Sequence, residues 1–143
     1  MSSGKNTGGG QYPAGTKRFE IVQTDAAALP VGPYSQATKA NGFIFVAGEK
    51  GIDPVSNKIV AGGIEAETRQ TLENIKAILA AAGSDMESIV NTFVYLTDLK
   101  DFAKMNAVYS EYFQSNPPSR TTVEVKSLPV GAIVEITVTA LDR

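Results

Sequence analysis

The stretch 37-ATKANGFIFVA-47 decides how the chain begins to fold. Asn41-Gly42 stands between two segments of strand composition. An Asn-Gly pair suits a two-residue hairpin loop because both central positions take positive φ. The run Phe43-Ile44-Phe45-Val46 after it predicts a buried strand. Upstream, Phe19, Ile21 and Gln23 alternate as a short strand, and a loop with Pro30, Gly32 and Pro33 joins it to the hairpin. Downstream, residues 51–63 hold Pro54, Asn57 and three glycines and read as a loop.

Beyond that loop the period changes. Leu72, Ile75, Leu79 and Ala82 recur on one helical face, which predicts a helix from about Glu65 to Ala82 with Gly83 as its C-terminal stop. Ile89 to Leu96 is rich in β-branched and aromatic residues and predicts a strand. Phe102, Met105, Tyr109 and Tyr112 repeat the helical spacing, so a second helix is expected from about Leu99 to Gln114. Asp98 stands at its N-cap, and Pro117-Pro118 lie beyond its end. Strands are expected over Arg120–Lys126 and Ile133–Leu141, with Leu128-Pro129 and Gly131 turning between them. The order β-β-β-α-β-α-β-β predicts an α+β layer fold with both helices on one face of the sheet. Two helices leave the other face bare, and self-association is the expected cover.

A length of 143 residues is one domain's worth. Residues 1–18 stand apart as a Gly/Ser-rich, acid-free, basic segment, read as a flexible tail; a poor organellar transit peptide is the alternative. Residues 19–143 read as a single domain. Histidine and cysteine are both absent. Ser-His and Cys-His nucleophiles, thiolate chemistry, disulfides and zinc sites built on these residues are therefore excluded. No cofactor is expected, and a metal could bind only through oxygen ligands. The net charge of −2 gives no basic footprint for nucleic acid. With no transmembrane-length apolar run and no secretory h-region, the expected compartment is the cytoplasm.

Chemistry must then come from carboxylates, hydroxyls, Lys, Arg, backbone groups and water. Gly32-Pro33-Tyr34-Ser35-Gln36-Ala37 places a phenol, a hydroxyl and an amide after a rigid turn, though a turn into a strand would read the same. Arg120 at a strand entry, flanked by Ser119, Thr121 and Thr122, can fork onto a carboxylate or phosphate; its plain alternative is a surface ion pair. Glu135 lies between Val134 and Ile136, either on a solvent face or in a pocket, and Asn106 adds an amide to the second helix.

Taken together, GPYSQA at 32–37, DFAKMNAVY at 101–109, PPSRTTVEV at 117–125 and the Leu128-Pro129 and Val134-Glu135-Ile136 close resemble the RidA family, also called YjgF, of reactive enamine/imine deaminases. The resemblance covers about Phe19 to Leu141. It implies a chorismate-mutase-like sheet with two helices on one side, assembled as a homotrimer around a barrel-like centre, with active sites in clefts between subunits. It implies that Arg120 binds the substrate carboxylate, that Glu135 holds or activates water, and that Tyr34 lines the pocket. Gly48, Asn106, Thr121 and Thr122 complete the expected substrate contacts, with no metal. The sequence departs from many members at Thr122, where they carry Cys, and at Ala47-Gly48-Glu49, where they read Ser-Gly-Gln.

The implied reaction is hydrolysis of 2-aminoacrylate or 2-iminopropionate to a 2-oxo acid and ammonia. Water adds to the C=N carbon while Arg120 grips the neighbouring carboxylate. Such chemistry needs neither thiol nor cofactor. Rival readings are an endoribonuclease or translation inhibitor, against which the acidic balance argues, and a non-catalytic metabolite-binding or chaperone-like trimer.

Overall fold

The computed structural model describes residues 18–143, so the expected tail lies outside the described residues except for Arg18. Strands β1 (Glu20–Val22), β2 (Ala37–Ala40) and β3 (Phe43–Lys50) precede helix α1 (Gly63–Ala81); β4 (Ile89–Leu96), helix α2 (Phe102–Tyr112), β5 (Ser119–Glu124) and β6 (Val134–Leu141) follow. The expected order is the observed one. The strands form one six-stranded sheet in the order β1-β2-β3-β6-β4-β5, antiparallel except for the parallel β4–β5 pair.

The hairpin forms on the residues that announce it. Asn41 and Gly42 both take positive φ, 52° and 84°, and Ala40 pairs with Phe43 across the two-residue loop. The end of α1 is equally local in origin. Gly83 takes φ 81°, its N–H reaches Ala80 O at 3.0 Å, and Ser84 N–H reaches Leu79 O at 2.8 Å. Those two bonds are the Schellman pattern, which satisfies carbonyls that the last helical turn leaves open. Asp98 caps a single 3-10 turn (Leu99–Asp101) by accepting from Lys100 N, so α2 proper starts three residues later than its periodicity suggests.

Alternation assigns the two faces of the sheet. Ile44, Val46, Val94, Leu96, Val134, Ile136, Val138 and Ala140 point to one side, where they are buried with Leu72, Ile75, Ile78 and Leu79 of α1 and with Met105 and Tyr109 of α2. Each Val, Leu, Ile or Met side chain among them contributes roughly 1.5–3 kcal/mol by leaving water. The opposite side carries Phe43, Phe45, Phe93, Val123 and Leu141, all exposed. Both helices thus cover one face, and the other presents a row of large apolar side chains.

One irregularity positions the site. β3 and β6 pair regularly down to Val46–Val138 and resume at Glu49–Ile136, so Ala47 and Gly48 together stand opposite Thr137. This bulge reverses the phase that simple alternation would give. Glu49 falls on the helix side with Ile136, and Lys50 falls on the outer side with Glu135.

Candidate active site

The residues singled out in the sequence gather into two groups, on opposite faces of the sheet. The first group centres on Arg120. Its register partner on β4 is Thr92, which is fully buried on the helix side. The guanidinium carbon lies 4.7 Å from the centre of the Tyr109 ring and 5.6 Å from that of Phe102. A guanidinium on two ring faces gains about 0.5–2 kcal/mol per contact, depending on exposure. The Tyr109 hydroxyl shares a 2.8 Å hydrogen bond with Thr92 Oγ1, which fixes the ring. Burial pushes the Tyr109 phenol upward, so it stays protonated.

Asn106 completes this group. It lies four residues after Phe102 and three before Tyr109, between them on one helical face. Its Oδ1 is buried without a hydrogen-bond partner. Such an acceptor costs about 1–3 kcal/mol unless something donates to it. Thr122, two residues along β5, shares the face of Arg120 and pairs with Val94. Thr121 pairs with Phe93 and faces the other way.

The second group surrounds Glu135 on the outer face. A cleft of about 230 Å³ is lined by Val31, Tyr34, Ala47, Gly48, Lys50, Pro129 and Glu135. A neighbouring one of about 390 Å³ adds Tyr95, Leu128 and Thr137. The need for glycine at 48 is spatial, since a Cβ there would lie 2.0 Å from Glu135 Oε2. The Glu135 carboxylate therefore lies over bare backbone. Tyr34 is 42% exposed, and its hydroxyl accepts from Val31 N at 3.2 Å. The Gln36 amide is not part of the cleft lining. It accepts from Thr24 N and donates to Thr24 O and Ala28 O, stapling the loop that carries Tyr34.

Buried polar groups on α1 hold this half in place. Asn74 Nδ2 donates to the carbonyls of Lys50 and Ile52, at 3.1 and 2.9 Å. Glu67 Oε1 accepts from Ile133 N at 3.0 Å, two residues before Glu135. Gly51 lets α1 approach, because a Cβ there would lie 2.7 Å from Glu67 Cα.

Sequence reasoning missed two members of this arrangement. Tyr109 reads as a core aromatic by its spacing, and its ring contact with Arg120 comes only from tertiary packing. Lys50 carries no signal in the sequence, and the bulge brings it to the outer side, buried beside Glu135. Glu49, which stands where many members carry Gln, is buried on the helix side of the bulge. Burial raises its carboxyl to about 8, against a lowering by Lys50 and a further rise from Glu135.

This geometry has close counterparts. The family model described as Endoribonuclease L-PSP matches residues 24–142. A RutC family protein of Pyrococcus horikoshii is 52% identical over 117 residues, covering 82% of this chain and 93% of that protein. A mouse protein named 2-iminobutanoate/2-iminopropanoate deaminase is 41% identical over 117 residues, covering 82% and 87%. The crystal structure of Escherichia coli TdcF with bound serine superimposes with a TM-score of 0.82 at 35% identity, covering 87% of this chain and 99% of that one. With a family match over nearly all the described residues and relatives this similar, the chain belongs to the Endoribonuclease L-PSP family, the RidA/YjgF family of the sequence resemblance.

Proposed function

We propose that the protein hydrolyses reactive enamine and imine intermediates derived from amino acids, releasing a 2-oxo acid and ammonia. The observation that carries the reading is the Arg120 group: a guanidinium set on the rings of Tyr109 and Phe102, with a buried Asn106 Oδ1 that lacks a donor on the helical face that bears those rings. A planar carboxylate can take two parallel bonds from such a guanidinium. The amide acceptor suits the N–H of an imine or enamine. Support comes from the mouse relative named for this activity and from the TdcF structure with bound serine, a small molecule with a carboxylate beside its nitrogen-bearing carbon.

Arg120 and Glu135 stand on opposite faces of the sheet, so a site that uses both takes them from two chains. We assign it to a cleft between neighbours in a homotrimer, with the exposed Phe43, Phe45, Phe93, Val123 and Leu141 facing the centre. In that cleft Arg120 grips the substrate carboxylate, and Thr122 and the backbone near Gly48 shape the pocket. Glu135 takes a proton from water as the water adds to the C=N carbon, and returns a proton to nitrogen as ammonia departs. A positioned acid–base group contributes on the order of 10²–10⁴ in rate.

The test uses 2-aminoacrylate released by a serine dehydratase, with surviving imine trapped by semicarbazide. Wild-type protein should suppress the adduct, and Arg120→Ala should lose that effect by about a hundredfold or more. Equal adduct with and without the wild-type protein would sink the proposal.

A further inference from the structure

Lysine is a residue type almost never fully buried unless paired, yet Lys50 is only 6% exposed. The bulge at Ala47–Gly48 delivers it to the outer side of the sheet, in register with Glu135. Its Nζ donates to Gly48 O at 3.2 Å and lies 4.0 Å from Glu135 Oε1. It lines the same cleft as Tyr34, Gly48 and Glu135. We propose that Lys50 is the counter-cation of this cleft, offsetting the Glu135 carboxylate so that a carboxylate-bearing substrate can settle beside it. The inference rests on the imine-hydrolase reading and names a specificity-determining residue for that reaction.

Charge in a confined space sets the requirement. A general base that remains ionised is a fixed negative charge, and an imino acid brings a second one. In a cleft sheltered from water the two repel far more strongly than in bulk solvent. Arg120, entering that cleft from the neighbouring chain, is taken up by the substrate carboxylate, so the Glu135 carboxylate still needs a cation of its own. Among the described residues of its own chain, Lys50 is the cation that stands within reach of that carboxylate.

The other titratable groups near Lys50 are Glu49 and Tyr34, the one adjacent on β3 and the other in the loop over the cleft. Burial keeps Glu49 mainly protonated at neutral pH, so it leaves the Lys50 charge standing. Lys50 and Glu135 then balance, and Arg120 supplies the net positive charge that an anion meets. A structural role alone, through the bond to Gly48 O, would make Lys50 indifferent to the charge of the ligand.

The experiment compares wild type with Lys50→Met, Lys50→Gln and Lys50→Arg. Each is assayed for turnover of 2-iminopropionate generated in place and for calorimetric binding of two probes, pyruvate and its uncharged amide. Lys50→Met and Lys50→Gln should weaken pyruvate binding and raise KM by about tenfold, with kcat changed by less than about threefold. Lys50→Arg should stay within about twofold of wild type, since it keeps the charge. Binding of the amide should be the same in all four proteins. Wild-type pyruvate binding in both neutral variants would overturn the inference, as would equal weakening toward pyruvate and amide. Pyruvate binding by the wild type without turnover would overturn the hydrolase reading while leaving the charge role of Lys50 measurable. A wild type that neither binds pyruvate nor clears the imine would remove both.

Discussion

The two halves of the proposed site are built on different physics. Around Arg120 the organising force is packing: two aromatic rings hold the guanidinium, and a Tyr–Thr hydrogen bond holds one of the rings. Around Glu135 it is charge and space, with a buried lysine at 4.0 Å, a buried acid one residue away and a glycine whose missing side chain leaves room. The first half is complete as a grip within one chain. The second holds a carboxylate and a cleft but no guanidinium. The two halves can therefore be perturbed separately: a change in the first removes the grip, and a change in the second removes the base or, at Lys50, the charge that offsets it.

The comparison breaks most clearly when the halves are taken from different molecules. Arg120→Ala and Glu135→Gln should each lower activity by about a hundredfold or more alone. Unfolded together and refolded as mixed oligomers, they should regain about a quarter of wild-type activity by random assortment across shared sites. Assay of the co-refolded mixture against each variant refolded alone decides this, and a mixture no better than its components would mean that one chain supplies the whole site.

A smaller effect is expected from Gly48→Ala. The new methyl occupies the place of Glu135 Oε2, so the carboxylate must swing away while the strand pairing survives. We expect kcat to fall by roughly tenfold to a hundredfold, with carboxylate binding at Arg120 changed by less than about threefold. Steady-state kinetics beside pyruvate titration checks the split. Parallel loss of binding and turnover would show that the halves are not separable.

The last effect is on stability. Glu49 holds its proton to about 8 in the fold, against 4.5 as the ordinary value. Between those pH values the native chain binds more protons than the unfolded one. The contribution of Glu49 to stability is therefore full below about 4.5 and is lost as pH rises through about 8. The slope is at most about 1.4 kcal/mol per pH unit. Glu49→Gln keeps the shape without the proton and should flatten that decline in thermal melts across the range. An unchanged slope would place the pH dependence elsewhere.

Much of the fold was legible because its signals are local. Asn41-Gly42, Gly83 and the β-branched and aromatic run over Ile89–Leu96 act through their own backbone and nearest neighbours, and each element forms where those residues place it. The site was legible as residue types but not as geometry. Arg120 and Thr121 are adjacent in sequence and face opposite ways, and only the register with β4 says which of them meets α2. Continuing the alternation from Phe43 and Phe45 would turn Glu49 outward and Lys50 inward. The bulge exchanges them, and a single extra residue leaves no mark in a count of apolar positions. Tyr109 was hidden for a related reason, since a core aromatic and a platform for a cation have the same helical spacing.

The doubled position at Ala47–Gly48 also bears on how this strand can vary over generations. Two residues there face one on the partner strand, so losing either would straighten β3 without moving any later residue out of register. A substitution at 49 or 50 rewrites one side chain. A one-codon deletion at 47–48 would reshape the floor beneath Glu135 and still leave Lys50 opposite it. Gene length and strand phase are uncoupled at that point, so the neighbourhood of the carboxylate can change by deletion as well as by replacement while the ladder beyond it is inherited intact.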